Sequence, residues 1–372
     1  MSNLKKLLFI LTPKEIRDAG LLLIMILIMA LIDMIGIASI LPFMTVLTNP
    51  SLVETNYFLN LMFEYSKIFG VENDQQFLFA LGIVLLVLLV FSNIFKALTA
   101  YVQLQFVHMR EYSISERLVK NYLSQPYSWF LNRHSADLGK NILSEIGLII
   151  GGYLKPFINV IAKSIVTFAI VLLLILTDPK LALITGLTLI IAYGSIFYII
   201  RKYVSILGKK RAINNQSRFI AISEAFGASK EIKIGRLEQN YIDRYSKPAK
   251  VYSKSTANSR VISQLPHFFL EAIALGGVML MLLYLMKQKG SFMDALPIFS
   301  LYIFAGLRLM PAIKEIYASF VSFTFVAPTL DKLHQDIKNL TSFDLSHNES
   351  AILFNNNLVL KNINFNYPNT FQ

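Results

Sequence analysis

Ionisable residues stand inside long apolar runs of this chain: Asp33, Lys96, His267, Glu271 and Arg308. A charged side chain at the middle of a bilayer costs roughly 2.5–3.5 kcal/mol on insertion scales, so each of these must face a cavity, a partner or an interface. Lys96, Arg308 and His267 are candidates to line an inward-facing cavity. Guanidinium makes bidentate contacts with phosphate oxygens, so such a cavity suits a head group carrying several negative charges. The same groups can instead pair within the bundle. Glu271 follows His267 by four residues and shares its helix face, and Asp33 serves equally as a cavity residue or a packing partner. Lys155 and Lys163 lie eight apart on one face of a third run, Lys155 close enough to its end to snorkel. The five histidines have no metal-ligand spacing and no Ser/His/Asp nucleophile arrangement is discernible. Cysteine is absent, which excludes disulfides and thiolate chemistry.

The elements that must position these residues are membrane spans. Of 372 residues, 55% are hydrophobic and 16% charged, against roughly 45–50% and 25% in soluble domains. Apolar runs at about 19–48, 76–106, 146–177, 180–200, 262–286 and 292–327 each match the roughly 20 residues that cross a hydrocarbon core. The first run is followed by five more, so it reads as a retained span and not as a cleaved signal. The net charge of +12 is distributed in clusters between the runs, which speaks for membrane topology and against nucleic acid as a partner.

Charge and connection length then set the orientation. Residues 49–74 hold Glu54, Glu64, Glu72 and Asp74 against Lys67, whereas 201–260 carry fourteen Lys or Arg against four acids. The positive-inside rule makes the second connection cytoplasmic, the first external and both termini cytoplasmic. Spans 3 and 4 are joined by little more than Thr177-Asp178-Pro179, with Asp178 placed to cap the next helix and Pro179 at its first position. The connections after spans 2 and 4 run to about 40 and 60 residues without linker composition. They are expected to be helices continuing into the cytoplasm as two hairpins, Phe219, Ile222 and Phe226 keeping a helical recurrence. At the N-terminus Leu4, Leu7, Leu8 and Leu11 form a stripe suited to an interfacial elbow helix over 1–18, and Thr12-Pro13-Lys14-Glu15 is a capping box that restarts the chain. Gly147 and Gly151 form a small-xxx-small pair suited to close helix packing.

Two stretches carry a family resemblance. Ser223 to Arg236, with Gly227, Lys230, Glu231, Gly235 and Arg236, is similar to the second intracellular loop of ATP-binding-cassette (ABC) exporters, whose short transverse coupling helix docks on a nucleotide-binding domain. Tyr127-Ser128-Trp129-Phe130 and the following Asn132 to Gly139 occupy the corresponding place in the first loop. The chain therefore resembles an ABC exporter (type IV) transmembrane domain: an all-α membrane fold of six transmembrane helices with long intracellular extensions. Its domain is expected over 19–330, with coupling loops near 127–140 and 226–240. After a polar linker at 331–350, residues 351–372 form a short orphan β segment in which Leu358, Leu360 and then Ile363, Phe365 and Tyr367 alternate with other residues, with a slip at Lys361-Asn362. This segment resembles the first strand of a nucleotide-binding domain, in which an aromatic placed like Tyr367 stacks on adenine. No G-x-x-x-x-G-K-[ST] loop occurs. The resemblance thus implies a chain cut at the start of its motor, which binds ATP and magnesium only as part of a longer form and hydrolyses none alone.

Within the family, Leu307 to Ala312 and the external segment 57–69, with its stripe of Tyr57, Leu61, Tyr65 and Ile68, resemble flippases for polyprenyl-pyrophosphate-linked oligosaccharides. Those flippases carry arginine where this chain has Lys96 and His267. The resemblance implies a homodimer with twelve spans in the cell inner membrane, a nucleotide-binding domain in cis or trans, and membrane lipid around it. Its cargo would be a polyprenyl-pyrophosphate glycan. Alternatives are an ABC exporter of peptide, lipid or drug and, of another class, a non-transporting membrane scaffold or remnant.

Overall fold

The computed structural model describes residues 3–68, 70–131, 133–289, 292–340, 359 and 361–363. The helices are α1 (Asn3–Ile10), α2 (Pro13–Ala38), α3 (Ile40–Thr48), α4 (Leu52–Thr55), α5 (Tyr57–Lys67), α6 (Asp74–Leu123), α7 (Tyr127–Leu131), α8 (Ser135–Lys140), α9 (Ile146–Ile149), α10 (Lys155–Thr177), α11 (Pro179–Gly227), α12 (Ser229–Gly235), α13 (Glu238–Lys289) and α14 (Phe292–Lys338). Single π-helical turns at Asn141–Glu145 and Ile150–Leu154 join α8, α9 and α10 into one continuous rod. No strand occurs among the described residues. Five stretches among them are long and apolar enough to cross a membrane, and α13 carries the run at 262–286.

Local sequence explains where these helices start and stop. Thr12 Oγ1 accepts from the Glu15 N–H at 3.3 Å and Glu15 Oε2 accepts from the Thr12 N–H at 2.8 Å, so the capping box of α2 is closed in both directions. Asp178 accepts from the N–H groups of Lys180 and Leu181, and Pro179 starts α11 where no amide donor is needed. At 50 residues α6 is about 75 Å long, more than twice the roughly 30 Å hydrocarbon core. Helices α11, α13 and α14 are of similar length. Each long rod therefore extends well past the bilayer, on the side opposite the tight Asp178 turn.

Helices α10 and α14 pack together at the centre; α2 and α6 flank them on one side, while α11 and α13 pair along α14 on the other. The core forms three tiers. Val46, Val53, Leu59 and Phe77 seal the end with short connections, Ile37, Ile170, Leu301 and Ala305 fill the middle, and Tyr122, Ile150, Phe325 and Leu330 fill the extensions. Apolar side chains facing outward, such as Leu21 and Leu31 on α2 or Leu187 and Ile190 on α11, suit hydrocarbon.

Two sequence expectations are revised, and a third lies almost wholly outside the described residues. Helix α1 docks on α14, with Lys6 Nζ 2.6 Å from Asp331 Oδ1, and this rotates its stripe: Leu7 and Ile10 are buried, whereas Leu8 is exposed. The close approach expected of Gly147 and Gly151 belongs to Gly147 and Gly152. A Cβ on Gly147 would meet Glu111 Oε1 at 2.7 Å and one on Gly152 would meet Val326 Cγ2 at 2.7 Å, but one on Gly151 would meet nothing within 4 Å. The expected β segment falls almost wholly outside the described residues, as does Tyr367. Asn362, at the slip in the alternation, has φ 51°, a left-handed conformation that asparagine tolerates better than most residues.

Candidate functional site

Asp33, Lys96 and Arg308 come from α2, α6 and α14, and the fold brings all three together. The Lys96 ammonium pairs with Asp33 Oδ1, Ser92 Oγ donates to the same oxygen at 3.2 Å, and Arg308 Nε stands 3.8 Å away. The Asp33 side chain is 4% exposed, but those of Lys96 and Arg308 are 23% and 31% exposed. The acid thus anchors two cations whose side chains are only partly buried. Two formal positive charges against one negative leave the cluster with a net positive charge. Counting about 1.5 Å per residue from Phe292, Arg308 lies roughly 24 Å from the short-connection end, so the cluster sits within the bilayer depth. A partly exposed charge at that depth must face a polar cavity and not lipid tails.

A second polar group lies two helical turns further along the same rods. Gln103 Nε2 donates to Asn159 Oδ1, Asn159 Nδ2 donates to Glu315 Oε1 at 2.7 Å, and Lys163 Nζ is 3.3 Å from Glu315 Oε2. Lys163 was visible in sequence; Gln103, Asn159 and Glu315 were missed. The signal that could have found two of them is a seven-residue step, Lys96 to Gln103 on α6 and Arg308 to Glu315 on α14, which returns to nearly the same helix face. His267 and Glu271 lie on α13, and Glu271 is exposed.

At the ends of the extensions, α7 and α12 run as short separate helices between the long rods. Trp129 packs against Tyr122 at 5.5 Å between ring centroids, stacks beneath the Arg133 guanidinium at 4.4 Å and contacts Phe130 edge-on, while Tyr127 is exposed. In α12, Ile232 is buried and anchors the helix. Lys230, Glu231 and Ile234 point outward beside the exposed Gly227 and Gly235, and Phe226 adds an apolar contact surface. Arg236 ends α12 in the left-handed region at φ 54°, its N–H donating to Ile232 O, a cap normally given to glycine.

Above these tips the rods are tied by a buried polar junction. Arg211, 2% exposed, pairs with Glu145 Oε2 on the first π turn; Asn215 Nδ2 donates to Glu145 Oε1 at 2.6 Å. Gln216 bridges Asp137 at 2.9 Å and Lys332 at 2.7 Å, joining α8, α11 and α14. Partial desolvation and the neighbouring Lys140 charge lower the pKa of the Lys332 ammonium, although the residue is exposed.

Stretches long and apolar enough to cross a membrane, continued as long rods with the short helices α7 and α12 at their ends, define a multi-pass membrane domain. The sequence model of the ABC transporter transmembrane region matches residues 19–307, and the chain belongs to that family. Its fold is similar to a bacterial Atm1-family ABC exporter with ATP bound, at a TM-score of 0.61 and 13% identity over 87% of this chain. The match covers 53% of that exporter, so this chain spans about half the length of the solved structure it resembles.

Proposed function

We propose that this chain is the membrane half of an ATP-driven exporter or flippase. In this reading it works as a homodimer in the cell inner membrane with its termini cytoplasmic, and moves a lipid-linked oligosaccharide from the cytoplasmic to the external leaflet. The observation that carries the cargo assignment is the Asp33 cluster, where two partly exposed cations share one buried acid at bilayer depth. A pyrophosphate head supplies the missing negative charge, and the Arg308 guanidinium can grip its oxygens while Asp33 holds the cations in place. Positive charge in the connection 201–260 supports the orientation. The surfaces of α7 and α12 suit contact with a nucleotide-binding domain, in cis or trans, to which ATP and magnesium belong.

The test is ATP-dependent flipping of a polyprenyl-pyrophosphate-linked glycan by the complete transporter in vesicles. Arg308→Ala is expected to lower the rate at limiting substrate by at least about tenfold, given roughly 1.5–3 kcal/mol for a charged hydrogen bond. Unchanged flipping in that variant sinks the pyrophosphate reading. Transport of a phosphate-free peptide, lipid or drug in its place identifies a different exporter, and absence of transport with every cargo favours a scaffold.

A further inference from the structure

We infer that the polar junction of α2, α6, α10 and α14 has two chemically distinct layers, and that the second, formed by Gln103, Asn159, Lys163 and Glu315, reads the sugar next to the pyrophosphate. This rests on the cargo reading above and extends it from the anchor to the glycan. The first layer, Asp33, Ser92, Lys96 and Arg308, carries excess positive charge. The second is formally neutral: Lys163 and Glu315 cancel, and two carboxamides complete it. The spacing is fixed by the rods. Gln103 follows Lys96 and Glu315 follows Arg308 by seven residues, so both polar groups are displaced by about 10 Å along α6 and α14 toward the extensions. That step is about the distance from a pyrophosphate to the far edge of the first one or two sugar rings.

The chemistry of the second layer fits hydroxyl and acetamido groups better than phosphate. Carboxamides and a carboxylate supply both donors and acceptors in a plane, whereas a phosphate site needs donors only. Each member keeps capacity beyond the internal chain. Among the described residues no hydrogen bond uses Gln103 Oε1, and the Lys163 ammonium, with three N–H donors, contacts only Glu315. The Lys163 and Glu315 side chains are 35% and 41% exposed and so are open to a ligand. The internal bonds hold Asn159 at the centre, with its oxygen toward Gln103 and its amide toward Glu315. Such a polar layer favours a cargo whose hydroxyls replace the water on its open donors and acceptors.

The experiment uses the complete transporter in vesicles with two cargoes, polyprenyl pyrophosphate bearing its glycan and the same lipid without sugar. Asn159→Leu and, separately, Gln103→Ala are expected to raise KM for the glycosylated lipid by about tenfold and to leave KM for the sugar-free lipid within about twofold. An equal rise for both lipids in Asn159→Leu and Gln103→Ala alike overturns the sugar layer while keeping the pyrophosphate reading. A wild-type protein that moves neither lipid overturns that reading and this inference with it. Gln103→Ala removes only the end of the chain of hydrogen bonds, so it carries the comparison if Asn159→Leu does not assemble.

Discussion

Replacing Asp33 by asparagine removes one negative charge with almost no change of volume, and so isolates the electrostatics of the helix junction. Asparagine keeps an oxygen that accepts from Ser92 and Lys96, so the geometry survives while the formal charge of the cluster rises by one. With Arg308 Nε at 3.8 Å from Asp33 Oδ1, the Coulomb attraction at an effective dielectric of about 20 is roughly 4 kcal/mol. Breaking a fully buried pair costs about 3–5 kcal/mol. Here the cationic side chains are 23% and 31% exposed, and water recovers part of that loss. A net destabilisation of about 2 kcal/mol is expected, which lowers the thermal midpoint by several degrees. Binding should move the other way. Asp33 competes with phosphate for Lys96 and Arg308, and a gain of about 1 kcal/mol lowers KM for the pyrophosphate lipid roughly fivefold. The assay is thermal unfolding at a fixed scan rate beside vesicle transport for Asp33→Asn and wild type. Opposite signs, a lower midpoint with a lower KM, are the signature. An unchanged midpoint, or a KM that rises, refutes the reasoning.

Gly208 is where α11 crosses α14, and a Cβ there would lie 2.1 Å from the backbone oxygen of Phe325. Gly208→Ala should therefore cost up to about 3 kcal/mol by forcing the rods apart. Gly186→Ala, with nothing within 4 Å, should be neutral or stabilise by up to about 1 kcal/mol; thermal unfolding of both variants checks the contrast. Glu145→Met should cost about 3–5 kcal/mol by stranding the buried Arg211, and adding Arg211→Met should recover most of it, as read by a double-mutant cycle. The Glu238 carboxyl is held below the usual range by the backbone N–H at its own position and by Lys233, whose Nζ is 3.0 Å away. Its folded pKa is depressed, so its contribution is present above the ordinary carboxylate range and is lost as pH falls through the lowered value. Amide protection in α12 of the wild type should accordingly exceed that of E238Q at neutral pH and converge on it as pH falls below the ordinary carboxylate range.

Much of the fold was written in local pattern. Run lengths gave the spans, Thr12–Glu15 and Asp178-Pro179 gave helix starts, and the missing linker composition of the long connections gave the extensions, because each depends on residues a few positions apart. Asp33, Lys96 and Arg308 were visible for the same reason, since a charge in an apolar run is costly wherever the rest of the chain lies. What the sequence left open was partnership. Lys96 and Arg308 had no acid at i+3 or i+4 to suggest a mate, and their shared partner is 63 residues from one and 275 from the other. Gln103, Asn159 and Glu315 look individually like isolated polar residues within their spans, and only the packing of α6, α10 and α14 makes them one chain of hydrogen bonds. The rotation of α1 and the choice of Gly152 over Gly151 were likewise decided by α14. Helical periodicity fixes which residues share a face; which face meets which neighbour is set by contacts between distant segments, and only the tertiary structure holds those.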